Sequence, residues 1–135
     1  MATAIYDKGR ENFCKGNIDW LNNNIKFLFA DSADYTVSLS THDALDDIAA
    51  PGRVAISGNL SGKDTTNGVL DASDTTVTSV SGDQFEAIVI YKDSGTENTS
   101  YLVAYIDNYT GLPCTPNSGN ITVAFPNDSN KIAKL

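Results

Sequence analysis

Residues 85–107 contain the strongest strand pattern in the chain and read FEAIVIYKDSGTENTSYLVAYID. Two apolar runs, 85–92 and 99–107, flank a short polar segment that contains Gly95. Apolar runs of this length around a glycine-containing turn predict a β-hairpin. Because the apolar residues are nearly continuous, we expect both strands to lie deep in a sheet.

Shorter strand patterns lie on both sides of this hairpin. Turn residues separate them at intervals of roughly 8 to 12 residues, which is typical of an antiparallel β-sandwich or a barrel-like domain. A chain of 135 residues is long enough for one such core. The sequence therefore predicts a single, mainly β domain. The further strands are expected in 25–30, 53–58, 66–70, 75–80, 121–125 and 131–135.

Two segments predict irregular structure. Residues 31–52 form a long connection in which 41–48 favour one or two helical turns, ended by Pro51 and Gly52. Residues 111–119 contain two prolines and two glycines, which would interrupt a β-ladder, so we expect a loop there.

The N-terminal residues differ in character from the rest. Residues 5–14 favour a short helix, and Gly9 and Gly16 limit its length. We therefore divide the domain into an N-terminal helical or irregular arm, residues 1–23, and a β-sandwich body, residues 24–135. The arm is rich in large apolar side chains yet broken by glycines and asparagines, which suggests a segment that binds a partner. The candidate partner-binding residues are Ile5, Tyr6, Phe13, Trp20 and Leu21. For Trp20 the alternative is an anchor between the arm and its own core.

Charge limits the classes of partner. Seventeen Asp and Glu residues against nine Lys and Arg give a net charge of −8, which opposes binding to nucleic acid or to an anionic membrane. No apolar run approaches the ~18 residues that span a bilayer, and the N-terminus lacks the pattern of a secretory signal. We expect a protein that is synthesised in a cytoplasm and has no membrane association.

Residues suited to catalysis or metal binding are few. His42 is the only histidine, no GxSxG motif is present, and the three glutamates form no marked pair. We expect His42 to be a surface or capping residue and the protein to be neither an enzyme nor the holder of a cofactor or metal. The two cysteines, Cys14 and Cys114, are expected to be small buried residues, with a disulfide as the alternative in an oxidising exterior.

Six segments of the chain have a recognisable pattern: YDKGRENF at 6–13, KGNIDW at 15–20, NIK at 24–26, SADYTV at 32–37, AIVIYKD at 87–93 and NKI at 130–132. In these segments the chain resembles a family of small tailed-bacteriophage virion proteins. The resemblance covers most of the chain, and its motifs are structural patterns that carry no chemical signature.

The resemblance implies a capsid decoration (cement) protein on the outer surface of a virion head, with the major capsid protein as its partner. Symmetric self-association, of which a trimer is the favoured form, is the expectation for a protein on a repeated lattice. Two alternatives remain open. One is a neck or tail structural component. The other is a glycan-binding module on a host-facing surface, for which Tyr91, Tyr101, Tyr105 and Tyr109 would be the candidate aromatic residues.

Overall fold

A computed structural model describes residues 3–135, with the backbone alone at Thr3. The protein is mainly β, as predicted, and the described part of the chain contains one α-helix. Four single turns of 3₁₀ helix lie in the connections, at Leu45–Asp47, Ala50–Gly52, Thr66–Gly68 and Glu97–Thr99. In chain order the elements are β1 (Thr3–Ile5), α1 (Asp7–Cys14), β2 (Ile25–Ala30), β3 (Arg53–Ile56), β4 (Val69–Leu70), β5 (Thr75–Val77), β6 (Ala87–Lys92), β7 (Leu102–Ile106), β8 (Ile121–Val123) and β9 (Ala133–Lys134).

The main sheet has five strands in the order β1-β7-β6-β2-β3, and every neighbouring pair is antiparallel. The predicted hairpin is confirmed as β6 and β7, with Ile88 opposite Ile106 and Ile90 opposite Ala104. The sheet is open, with β1 and β3 at its two edges. The hairpin therefore holds the centre of the sheet together with β2, which pairs with β6 along its whole length.

One face of the main sheet packs against the two small sheets. Phe27, Ile88 and Ile90 point to this face and are at most 1% exposed. Leu70, Val77, Val123 and Ala133, one from each strand of the pairs β4–β9 and β5–β8, belong to the same core. The small sheets thus act as an incomplete second layer, which makes the arrangement sandwich-like.

The opposite face carries a second core. Leu28, Val89 and Tyr91 alternate with the residues of the first face, as the two-residue period of a strand requires. Tyr35 and Ile48, from the long connection 31–52, cover them. Both faces of the central strands are therefore buried, which is the physical reason for their nearly continuous apolar sequence.

The N-terminal arm is part of this architecture and does not stand apart from it. β1 pairs with β7 along Thr3–Ile5 and forms one edge of the main sheet. α1 then crosses β7 so closely that a Cβ atom on Gly9 would lie 2.7 Å from the backbone oxygen of Leu102. The predicted helix is thus confirmed, and it packs on the body through glycine.

Candidate interaction surface

The five residues predicted to bind a partner have different environments. Ile5, Tyr6 and Trp20 are 5%, 0% and 2% exposed, so these side chains lie in the protein's own core and cannot contact a partner from this fold. The reason is the pairing of β1 with β7 and the packing of α1 on the same strand. Phe13 is half-buried, and Leu21 is 49% exposed. For Trp20 the structure agrees with the alternative of an anchor to the core.

Tyr6 belongs to a hydrogen-bonded chain beneath α1. Its hydroxyl lies 2.8 Å from that of Tyr35, which lies 2.9 Å from Nδ1 of His42. The backbone N–H of Ser38 also donates to Nδ1, and the side chain of His42 is half-buried. Through these bonds His42 connects the segment 31–52 to the core. Burial raises the pKa of Tyr6 well above its usual value and that of Tyr35 to about 12, which keeps both hydroxyls neutral. His42, predicted to be a surface or capping residue, thus accepts a backbone N–H from its own connection and has a structural role.

The C-terminal end of α1 fixes the direction in which the arm leaves the helix. Gly16 adopts a φ of 76°, its N–H donates to the carbonyl of Phe13, and the N–H of Asn17 donates to that of Asn12. These two bonds form a Schellman motif, which glycine favours because it has no Cβ to clash in a left-handed conformation. The Asn17 side chain also donates to Oδ1 of the buried Asn12. Residues 17–20 are thus turned back towards the body.

Three long side chains hold this returning segment in place. The indole Nε1 of Trp20 donates to the backbone carbonyl of Asp71, at 2.9 Å. The ammonium groups of Lys92 and Lys63 donate to the carbonyls of Asn17 and Asn23. Segment 17–23 is therefore preorganised by contacts with distant parts of the body.

A groove of about 350 Å³ lies between the arm and a wall formed by residues 65–70 and Leu135, and we call it the arm groove. One wall belongs to the arm and consists of Phe13, Gly16, Ile18, Asp19 and Trp20. The other wall consists of Thr65, Gly68, Leu70 and Leu135. Backbone hydrogen bonds from Ile132 to Leu70 and from Leu135 to Gly68 hold the second wall together.

The chemistry of the arm groove suits an apolar side chain of a partner protein. Its walls carry two aromatic and three aliphatic side chains, and Asp19 is its one charged side chain among the described lining. The Asp19 carboxylate is engaged by the side chain and backbone of Asn22, which lower its pKa. One exposed leucine, Leu135, lines the groove at 47% exposure. Leu21, which follows Trp20 in the sequence, is 49% exposed but is not part of the lining. An apolar recess with an exposed apolar side chain in its wall is a candidate contact site for another protein.

Phe13 and Trp20 are the predicted residues that the structure brings together in this groove. Sequence reasoning missed the second wall, because the pairing of the two-residue strands β4 and β9 is what brings residues 65–70 and Leu135 together. Strands this short have no detectable alternation, so the sequence holds no signal for their pairing.

Acidic clusters elsewhere serve loop geometry. Two groups of three carboxylates place their oxygens within 4.8 Å of one another, and their members are Asp31, Asp34 and Asp83, and Asp43, Asp46 and Asp47. The carboxylate of Asp47 accepts the backbone N–H groups of Asp43 and Ala44, and Asp31 accepts that of Ala33. These bonds hold tight turns in the long connection.

The expectation of two buried cysteines is wrong for Cys14. Its side chain is exposed at the end of α1, whereas Cys114 is half-buried, and both are free thiols. Cys14 is exposed because the helix presents Gly9 and Asn12 to the body.

Among residues 3–135, no helix is long and apolar enough to cross a membrane. A scan against protein-family models gives no match for this chain, and a search of curated proteins gives no significant match.

Proposed function

We propose that this chain is a structural protein of a tailed-bacteriophage virion that binds the outer surface of the capsid shell and stabilises it, as decoration (cement) proteins do. The proposal starts from the resemblance in residues 6–37, 87–93 and 130–132. The arm groove is the observation that carries its mechanism. It gives a small acidic domain a preformed apolar recess with the exposed Leu135 in its wall.

In this proposal the partner is the major capsid protein, and the arm groove receives one of its apolar side chains. The groove walls are held by backbone and indole hydrogen bonds before any partner arrives, so binding costs little ordering of the chain. A single recess of this size gives only modest affinity. Self-association, for which a trimer remains our expectation, would let several grooves engage one lattice at once and raise the avidity.

The charge of the molecule supports an external position. A net charge of −8 disfavours contact with packaged DNA. Five of the nine basic side chains are paired with carboxylates. A shell protein that faces outward needs no polyanion-binding surface, and this chain offers no extended one in its described part.

The other proposed places in a virion differ in what they require. A neck or tail component would use the same apolar recess, but it would be present in few copies. A glycan-binding module needs exposed aromatic rings, whereas Tyr91 is 2% exposed and Tyr101, Tyr105 and Tyr109 are half-buried. These buried and half-buried tyrosines therefore support a glycan-binding module less well than the apolar arm groove supports a protein partner.

The experiment that tests the proposal is electron cryomicroscopy of particles with and without this protein, with its position and copy number counted. The expected result is density on the outer face of the head, repeated with the symmetry of the shell. Density at the neck or tail, arranged as a ring of few copies, would instead identify the protein as a neck or tail component. Binding of the isolated domain to a glycan array would instead favour a host-facing module.

A further inference from the structure

The cationic side chains of this protein are nearly all engaged within the fold. Five of the nine form ion pairs with carboxylates: Lys8, Lys15, Lys26, Arg53 and Lys131. Two more, Lys63 and Lys92, donate to backbone carbonyls. Arg10 and Lys134 remain, and neither has a side-chain partner among residues 3–135. Both are exposed.

These two cations line one groove, which we call the cationic groove. It has a volume of about 230 Å³, and Arg10 comes from α1 while Lys131 and Lys134 come from the C-terminal segment around β9. The side chain of Lys131 reaches Asp71 at 3.2 Å. One carboxylate, Asp128, also lines the groove, but its Oδ1 already accepts the backbone N–H groups of Asn130 and Lys131.

We infer that the cationic groove binds a short segment rich in Asp or Glu on a partner protein. Arg10 and Lys134, the two cations that form no ion pair or side-chain hydrogen bond among residues 3–135, line one recess and can form charge-assisted hydrogen bonds with carboxylates. The planar guanidinium of Arg10 can hold one carboxylate through two parallel bonds. The inference concerns a different surface from the arm groove and does not rest on the proposed place in the virion.

The length of the ligand follows from the charge of the rest of the molecule. At physiological salt, charges more than about 8–10 Å apart are largely screened from one another. A short acidic segment therefore interacts mainly with the groove. A nucleic acid carries a charge every ~1.7 Å of its axis and extends beyond the groove, where the excess of acidic residues that gives the protein its net charge of −8 repels it.

The two grooves share the C-terminal segment. Leu135 lines the arm groove, and the adjacent Lys134 lines the cationic groove. Phe13 and Arg10 likewise belong to the same helix and line different grooves. A partner segment that combines acidic residues with an apolar one is therefore the chemistry that fits this side of the molecule.

The test is an NMR titration of the full ¹⁵N-labelled chain with an oligoglutamate peptide at physiological ionic strength, repeated at higher salt. We expect salt-sensitive shift changes at Arg10 and residues 128–134, and a loss of affinity of about tenfold or more in the double variant Arg10→Gln and Lys134→Gln. The matched control is Lys8→Gln with Lys15→Gln, which removes the same charge from α1 and the residue that follows it, outside the groove, and should change affinity less than about twofold. An unchanged backbone spectrum in each free variant shows that the fold is kept.

Three results would overturn the inference. An equal loss of peptide affinity in the groove variant and in the control variant would mean that the peptide responds only to the overall charge of the protein. Tighter binding of a DNA oligonucleotide of equal charge at the same residues would make the ligand a nucleic acid. A groove variant that dissociates an oligomer, with no peptide-induced shifts in the wild type, would make the occupant a second copy. Each reading uses the isolated chain, so it is independent of whether particles carry this protein on the head.

Discussion

At the scale of single residues, Gly9 shows a conflict between local and tertiary preferences. By helix propensity alone, Gly9 shortens the predicted helix, and alanine at this position would stabilise that helix by about 1 kcal/mol. In the structure a Cβ at this position would lie 2.7 Å from the Leu102 oxygen and 3.2 Å from the Val103 oxygen, which are fixed backbone atoms. Overpacking of this kind typically costs about 1–3 kcal/mol, so the steric cost exceeds the gain in propensity.

We therefore expect Gly9→Ala to lower the free energy of unfolding, measured by urea denaturation. Gly58→Ala is the matched control, because a Cβ there meets nothing within 4 Å and the φ value is not in the left-handed region. It should change stability by no more than about 0.5 kcal/mol. A stabilised Gly9→Ala would mean that α1 can move away from β7 at little cost.

The tyrosine pair makes the fold sensitive to high pH. Burial raises the pKa of Tyr6 above its ordinary value and that of Tyr35 to about 12. Because an unfolded tyrosine ionises near ~10, the stability contributed by these neutral hydroxyls is complete below that pH and is lost as pH rises through the folded pKa. We expect the urea midpoint to fall between about pH 10 and 12, and Tyr6→Phe to make that fall shallower. An identical slope in the variant would contradict this role of Tyr6.

At the scale of elements, the Lys26–Asp93 ion pair links β2 to the residue that follows β6. The two side chains are about a quarter exposed, and Nζ lies 2.9 Å from Oδ2. Two hydrogen bonds lower the pKa of Asp93: the one from Lys26 has the larger effect, and the one from the Gly95 N–H has the smaller effect. Because the folded pKa is depressed, the stabilisation is present above the unfolded value near ~3.8 and disappears as pH falls through the folded pKa.

Asp93→Asn keeps an acceptor for Gly95 and removes the charge. We expect it to cost about 0.5–1 kcal/mol at neutral pH and almost nothing once Asp93 is protonated in the folded wild type. Urea unfolding of both proteins at neutral and strongly acidic pH measures the difference. A cost that is the same at both pH values would assign the effect to the shape of the loop and not to the charge.

The long elements could be predicted from sequence, whereas the short ones could not be placed. β6, β7 and β2 are each five or six residues of apolar sequence, and their identity and the hairpin follow from pattern alone. β4 and β9 have two residues each, so their pairing is dictated by tertiary contacts. The arm groove depends on that pairing, which is why Phe13 and Trp20 could be proposed as site residues but Leu70 and Leu135 could not.

At the scale of the whole molecule, the integration of the arm changes how its role can be tested. A deletion of residues 2–20 would remove β1 and α1, and with them the buried Ile5, Tyr6 and Trp20. We expect such a chain to lose its fold, so its failure to bind particles would say nothing about the arm groove. Point substitutions of exposed side chains are the sharper test.

We expect Leu135→Ser to lower occupancy on particles about fivefold, which corresponds to a contact of ~1 kcal/mol from one leucine in the groove wall. Ile56→Ser is the control, because Ile56 is 43% exposed on β3 and lies outside the arm groove. Occupancy is counted from particle images after mixing with each variant, and thermal unfolding confirms that the variants fold. Equal occupancy for all three proteins would remove the groove from the binding surface.

In the described part of the chain the central strands are covered on both sides, so their faces are closed to other molecules. Contacts with a partner would therefore form at the perimeter, where loops, the helix and residues near 135 meet the solvent. Amino-acid changes there would alter which surface the protein recognises while the interior stays as it is. Lineages could therefore retarget the same scaffold to new surfaces by few substitutions, and a library randomised only along the two grooves would sample most of that adaptive space.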